Sequence, residues 1–193
     1  MASLWRVVVG FSIAFLIAFP LGVCVGLSAS IRKLTLPLLT FFRHVPPLAM
    51  LPMLILWFGI GEMSKLCIVI MATFFPVFIN TEAGIGQCDS KSLEVGKAFG
   101  LSPWKEFIHI RLPFATPFIW SGFRLGLGYS WRSLIGAEMI AAVAGLGYLI
   151  LDAEQMARPD IVLGGIFTIG IIGILSDWCT GKLYYYYHKG DMP

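Results

Sequence analysis

Charge is scarce in this chain of 193 residues: 13% of its side chains are Asp, Glu, Lys or Arg, 58% are hydrophobic, and the mean hydropathy is +0.82. That polar content is too small to cover a water-soluble domain of this length, so the composition identifies an integral membrane protein. Apolar and polar residues do not alternate over any stretch of about ten positions, which removes a transmembrane β-barrel. The four cysteines, Cys24, Cys67, Cys88 and Cys179, lie far apart and form no C-x-x-C pair. Neither a disulfide framework nor structural zinc is expected, and each reads as a small apolar filler. His44, His109 and His188 are scattered, and no acid, base or metal-ligand cluster stands at working spacing, which argues against a membrane enzyme. The phosphate-cradling G-x-x-x-x-G-K-[ST] pattern is missing too. Gly96-Lys97 and Gly181-Lys182 lack both the earlier glycine and the following hydroxyl, so the chain has no ATP-hydrolysing site of its own.

Long uncharged runs are what the chain does have. Residues 7–31 carry no charge and would span roughly 37 Å as a helix, enough to cross a hydrocarbon core with some tilt. Further runs cover 45–61, which begins with Pro46-Pro47, then 66–81 and 161–176, and a longer one, 114–151, is interrupted by Arg124, Arg132 and Glu138. The expected architecture is a single all-α, polytopic membrane domain over 1–193 with about five transmembrane helices. Lys and Arg in short loops mark the cytoplasmic side. Arg32, Lys33, Arg43, Lys91, Lys97, Lys105, Arg111, Lys182 and Lys189 fall on one side, while Arg6, Lys65 and Arg158 fall on the other. That count puts the loop 89–112 and the carboxyl terminus in the cytoplasm and the amino terminus outside. An outside start without a charged leader is what a chain lacking one earlier helix would show.

The loop 89–112 is the one sizeable polar segment. Asp89 or Ser90 can cap a helix running to about Phe99, and Gly100 supplies a left-handed stop. Ser102-Pro103 starts a second helix, with serine as cap and proline in the first turn, and Pro113 punctuates it. Val95 and Phe99 stand one turn apart, with Leu101 and Trp104 around the bend. Apolar side chains on a water-facing loop imply a protein partner; the bland alternative is a hairpin folded back on its own membrane domain.

The spacing of Glu94, Gly100, Ile110 and Leu112-Pro113 resembles the EAA loop of the permease subunits of ATP-binding-cassette importers, whose pattern is E-A-A, three residues, G, nine residues, I-x-L-P. Pro46-Pro47-Leu48-Ala49, Leu56-Trp57-Phe58-Gly59-Ile60-Gly61, Phe74-Phe75-Pro76, Asn80-Thr81, Gly136-Ala137-Glu138-Met139 and the segment Gly145-Leu146-Gly147-Tyr148-Leu149-Ile150-Leu151-Asp152 are similar to the branch importing nitrate, sulfonates, taurine, bicarbonate or thiamine-related pyrimidines. The resemblance implies a type I importer permease fold in a bacterial inner membrane. Its partners would be two ATPase subunits that bind the ATP and Mg, a second permease copy and an external substrate-binding protein; no nucleic acid is involved. It also implies that Glu94, Val95, Gly96, Ala98, Phe99, Gly100, Leu101 and Trp104 contact the ATPase and transmit its closure, with no cofactor or catalytic residue in this chain. Family members usually carry one more amino-terminal helix, in line with the outside start. Val95 and Gly96 replace the usual alanines, and an exposed Gly96 would loosen its helix by about 1 kcal/mol.

Arg124, Trp131, Arg132 and Glu138 are the candidates for a translocation path. Arg124, Trp131 and Glu138 recur every seven residues, within about 40° of one helical stripe. Arg124 and Glu138 lie roughly 21 Å apart along the axis, too far to neutralise each other, so each needs another helix, a water-filled cavity or a passing ion. An unpaired charge at the bilayer centre costs at least ~2.5 kcal/mol. Two arginines suit an anionic substrate; pairing with fixed acids, or anchoring near the interface, is the competing reading. An ion-coupled carrier or channel gated by Arg124 and Glu138, without an ATPase, remains the alternative function. Gly22 with Gly26, and Gly122 with Gly126, have the spacing for close helix approach within a subunit or across a dimer. The amphipathic stretch 31–44 is expected along the inner surface. Trp178 with residues 184–187 reads as an aromatic belt.

Overall fold

The computed structural model describes residues 2–187; His188 and Lys189 lie outside the described residues. The described chain is helical and carries no strand: α1 (Ala2–Leu27), α2 (Ala29–Arg43), a 3-10 turn (Pro47–Met50), α3 (Leu51–Phe58), α4 (Glu62–Gly86), α5 (Ser90–Ala98), α6 (Pro103–Glu106), a π-helical turn (Phe107–Arg111), α7 (Leu112–Ala141), α8 (Leu146–Gln155) and α9 (Pro159–Tyr187). Three helices, α1, α4 and α9, are long and apolar enough to cross a membrane unaided, and two bent pairs raise the number of possible spans to five.

Helix α4 is the axis of the bundle, and glycines let its neighbours close on it. On α1, Gly10 faces Val69, Gly22 faces Thr81 and Gly26 faces Ile85, so the two helices run in the same direction. On α7, Gly122 faces Asn80 and Gly126 faces Thr73, while Gly84 of α4 meets Ala115, so α7 runs antiparallel to α4. A Cβ at Gly22 or Gly122 would lie 2.8 Å from the facing side chain, closer than packed atoms tolerate. Both glycine pairs therefore serve contacts within one subunit. Between these helices lie apolar clusters of Ala18, Val25, Val77 and Phe78 at one level and of Val7, Val69, Trp131 and Leu134 at another, and Leu51 and Leu54 of α3 pack on Ile68, Ala137 and Ala141.

The second and fourth spans differ from expectation. The run 45–61 is helical only over 47–58, too short to cross alone, and this segment meets α2 at a bend of 79°, where Pro46 holds extended backbone and Pro47 offers no donor. Helix α2 keeps its amphipathic pattern, yet it does not lie apart from the bundle. Arg32 pairs with Glu82 at 2.7 Å, and Leu36 and Leu39 pack on the cluster of Ala18 and Phe78, so α2 turns back against α1 and α4. The run 114–151 splits into α7 and α8, bent by 47°, where Gly145 takes φ +139. The first and third spans extend past the expected edges to include Arg6, Glu62 and Lys65. Pro113 does not punctuate: helix continues from α6 through the π turn into α7. Widening to the π turn, with the Leu112 N–H donating to the Phe107 carbonyl, comes just before the proline whose missing N–H would break a regular ladder.

Candidate functional site

The loop joining α4 to α7 is built from its own short-range chemistry. The Asp89 carboxylate accepts from the backbone N–H of Lys91 (3.3 Å) and of Ser92 (3.4 Å), capping α5 at its positive end. At the other end Gly100 adopts φ +70, where a side chain is strained, and two backbone bonds close the turn: Leu101 N–H to the Gly96 carbonyl (3.0 Å) and Gly100 N–H to the Lys97 carbonyl (2.9 Å). That pairing is the Schellman arrangement, which satisfies the last carbonyls of α5 and turns the chain sharply. Ser102 then caps α6 through the Lys105 N–H (3.4 Å), and Arg111 pairs with Glu106 at 3.0 Å across the π turn. Burial pushes the Cys88 thiol at the loop's start above its usual range.

The rigid corner leaves its large apolar groups uncovered. Phe99 is 83% exposed, Trp104 68% and Val95 54%. Trp104 stacks on Phe107, with ring centroids 5.9 Å apart. Glu94 is exposed and forms no ion pair or hydrogen bond among the described residues, and Ala98 beside it is exposed as well. Leu101 is half-buried. Gly96 differs from expectation: it is buried, and a Cβ there would lie 2.5 Å from Ile110 Cδ1 and 3.4 Å from Leu101 Cδ1. Its glycine lets the Ile110 side chain of the returning π turn sit close on α5, and is not a loose point on an exposed helix. The structure thus brings Glu94, Val95, Phe99 and Trp104 to an exposed corner, with Gly96 beneath them.

The intramembrane candidates divide. Arg124 makes a forked ion pair with Asp177 of α9, Nε to Oδ1 at 3.0 Å and Nη2 to Oδ1 and Oδ2 at 2.6 and 2.7 Å. Glu138 is fully buried and leaves the candidate path: it accepts from Arg6 Nη1 (2.6 Å), Ser3 Oγ (2.9 Å) and the Gly147 N–H (3.0 Å). Arg6 also holds Glu62, which binds Lys65 at 2.8 Å, so two cations and two carboxylates tie α1, α4, α7 and α8 together. The seven-residue spacing missed this because helix neighbours, not stripe position, decide what each residue faces. Trp131 is buried in the Val7 and Leu134 cluster and shows one edge to a groove between α7 and α9. Arg132, half over the Tyr129 ring at 5.7 Å, lines that groove with Arg124 and Asp177. Asp177 escaped the sequence reading, and Arg6 was counted there only as a loop charge; the available signal for Asp177 was an acid deep in the apolar closing helix, with arginines in the fourth span to pair with. No cluster of three or more metal-ligating side chains occurs among the described residues, and all four cysteines are free.

Residues 11–184 match the family described as binding-protein-dependent transport system inner membrane component. The chain is 38% identical over 176 residues to the taurine transport system permease protein TauC of Escherichia coli (strain K12), covering 91% of this chain and 64% of that protein. It is 41% identical over 175 residues to the putative aliphatic sulfonates transport permease protein SsuC of the same organism, covering 91% and 66%. Against the nitrate import permease protein NrtB of Synechocystis sp. (strain ATCC 27184 / PCC 6803 / Kazusa) the identity is 33% over 176 residues, covering 91% and 64%. The chain thus spans a little under two thirds of the length of these curated relatives.

Proposed function

Because the chain belongs to the family of binding-protein-dependent transport system inner membrane components, we propose that it is the permease subunit of an ATP-driven importer and forms the path for a small anionic solute. The observation that carries this reading is the capped corner at Gly100, which holds Phe99, Trp104 and Val95 in the open beside an unpaired Glu94. A cleft on a separate ATPase subunit that covers these side chains would bury about 25 cal/mol of stabilisation per Å² and give Glu94 a partner. Closure of two such ATPases would move α5 and, through the Gly96–Ile110 contact and the helical 103–141 segment, α7. Alternating access follows from that motion without covalent chemistry in this chain.

The permease pairs with a second copy and receives solute from a binding protein outside. The loop and carboxyl terminus face the cytoplasm, where Lys91, Lys97 and Lys105 support the assignment. Taurine, aliphatic sulfonates and nitrate, named for the relatives, all present an oxyanion, which favours an anionic solute here. The rival reading, a carrier gated by Arg124 and Glu138, is disfavoured by geometry: each is already neutralised by a partner on another helix. The test is copurification with the ATPase followed by transport assays. Glu94→Ala and Gly100→Asp are expected to keep the chain in the membrane and uncouple ATP hydrolysis from uptake; transport at the unmutated rate in both would count against the role.

A further inference from the structure

The groove between α7 and α9 has a volume of about 640 Å³, within the range of small-molecule sites. Its charged lining is Arg124, Arg132 and Asp177. Two guanidiniums against one carboxylate leave one positive charge. That surplus is localised, because Asp177 accepts from both Nε and Nη2 of Arg124. Arg132, by contrast, has no carboxylate partner and donates no hydrogen bond among the described residues, leaving its five N–H donors for something else. Tyr129 lies under its guanidinium carbon at 5.7 Å, a contact that orients the planar fork without neutralising it. Gly128 and Gly173 line the same groove with open space where their side chains would be, so a ligand can approach the backbone there.

Depth sharpens the point. Arg132 stands about 13 Å from the Ala141 end of a helix about 45 Å long, so a ~30 Å hydrocarbon layer centred on that helix would enclose it. A cation at that depth needs an anion, and the described residues place none against it. We propose that the α7–α9 groove binds one singly charged oxyanion, such as a sulfonate, nitrate or carboxylate group, against Arg132, and that this group belongs to the imported solute. This rests on the importer reading. Arg124, held by Asp177, is a structural tie between α7 and α9, so selectivity for an anion lies with Arg132 alone.

The same oxyanion chemistry is offered by a lipid phosphate, and the test separates the two sources. The purified full chain is placed in nanodiscs of phosphatidylcholine and titrated calorimetrically with methanesulfonate, with an equal titration of a neutral analogue, dimethyl sulfone. Saturable methanesulfonate binding is expected, weakened at least ~10-fold in Arg132→Gln and less in Arg132→Lys, with no binding of the neutral analogue. Equal binding by Arg132→Gln and the unmutated chain, or no saturable binding, would overturn the proposal. Repeating the titration with phosphatidylglycerol present supplies the lipid arm: displacement of methanesulfonate by that lipid at membrane concentrations would overturn assignment to the solute. No ATP or partner enters these measurements, so their failure leaves ATP-driven uptake, and with it the importer reading, to be judged separately.

Discussion

At the end of the bundle where α1, α4, α7 and α8 meet, Arg6, Lys65, Glu62 and Glu138 satisfy one another, and three of the four are almost fully buried. At the opposite end, the loop between α4 and α7 leaves Glu94, Phe99 and Trp104 exposed, although α5 and α6 are capped. The first end is complete within one chain. The second is capped but leaves its apolar groups open, and the difference separates residues that hold the fold from residues that the proposed ATPase contact would cover.

Removing a charge from the closed end is expected to have the largest effect. Glu138→Ala takes from the buried Arg6 one of its two carboxylates, leaving Glu62 as the other, and should cost about 3 kcal/mol, read as a lowered unfolding temperature in detergent. Combining it with Arg6→Ala should cost less than the two single changes together, since neither then leaves a buried charge alone. Phe99→Ala at the open end should leave that temperature nearly unchanged, within about 0.5 kcal/mol. It should nevertheless weaken ATPase capture by about 2 kcal/mol, roughly 30-fold in a pull-down titration, as truncation of a buried interface aromatic does. Gly100→Ala forces a side chain into the left-handed region and should cost about 1 kcal/mol of stability, with a visible loss of coupling. Smallest is Gly96→Ala: gain in helix propensity, about 1 kcal/mol, is opposed by the shift demanded of Ile110, so the net change in stability should stay below about 1 kcal/mol. A clear stabilisation there would show that Ile110 moves freely and that the glycine is not needed for packing.

Local signals carried much of this structure. The caps at Asp89 and Ser102, the stop at Gly100 and the glycine pairs on α1 and α7 were legible because each acts within a few residues or through a fixed helical spacing. The class and the long apolar helices followed from hydropathy for the same reason. What was not legible depends on distant partners. Arg6 and Glu138 are 132 residues apart, and Arg124 and Asp177 are 53 apart, so no window on the chain could show that these charges were already spoken for. Counting Arg6 and Lys65 as loop charges had the same cause, since their pairing lets them enter the helices. The prolines marked a break at 46–47, but not that the segment after it packs on α7, where Leu48 covers Gly136, and Gly96 became a packing residue only once Ile110 returned over it.

The claim on which the account turns is that the Gly100 corner is gripped by a separate ATPase. A photo-cross-linking residue introduced at position 99, in membranes that contain the whole transporter, tests it most directly. The account predicts a dominant adduct between this chain and the ATPase subunit, with a yield that changes when ATP hydrolysis is trapped by vanadate. Adducts formed only with lipid or within the permease itself would contradict it.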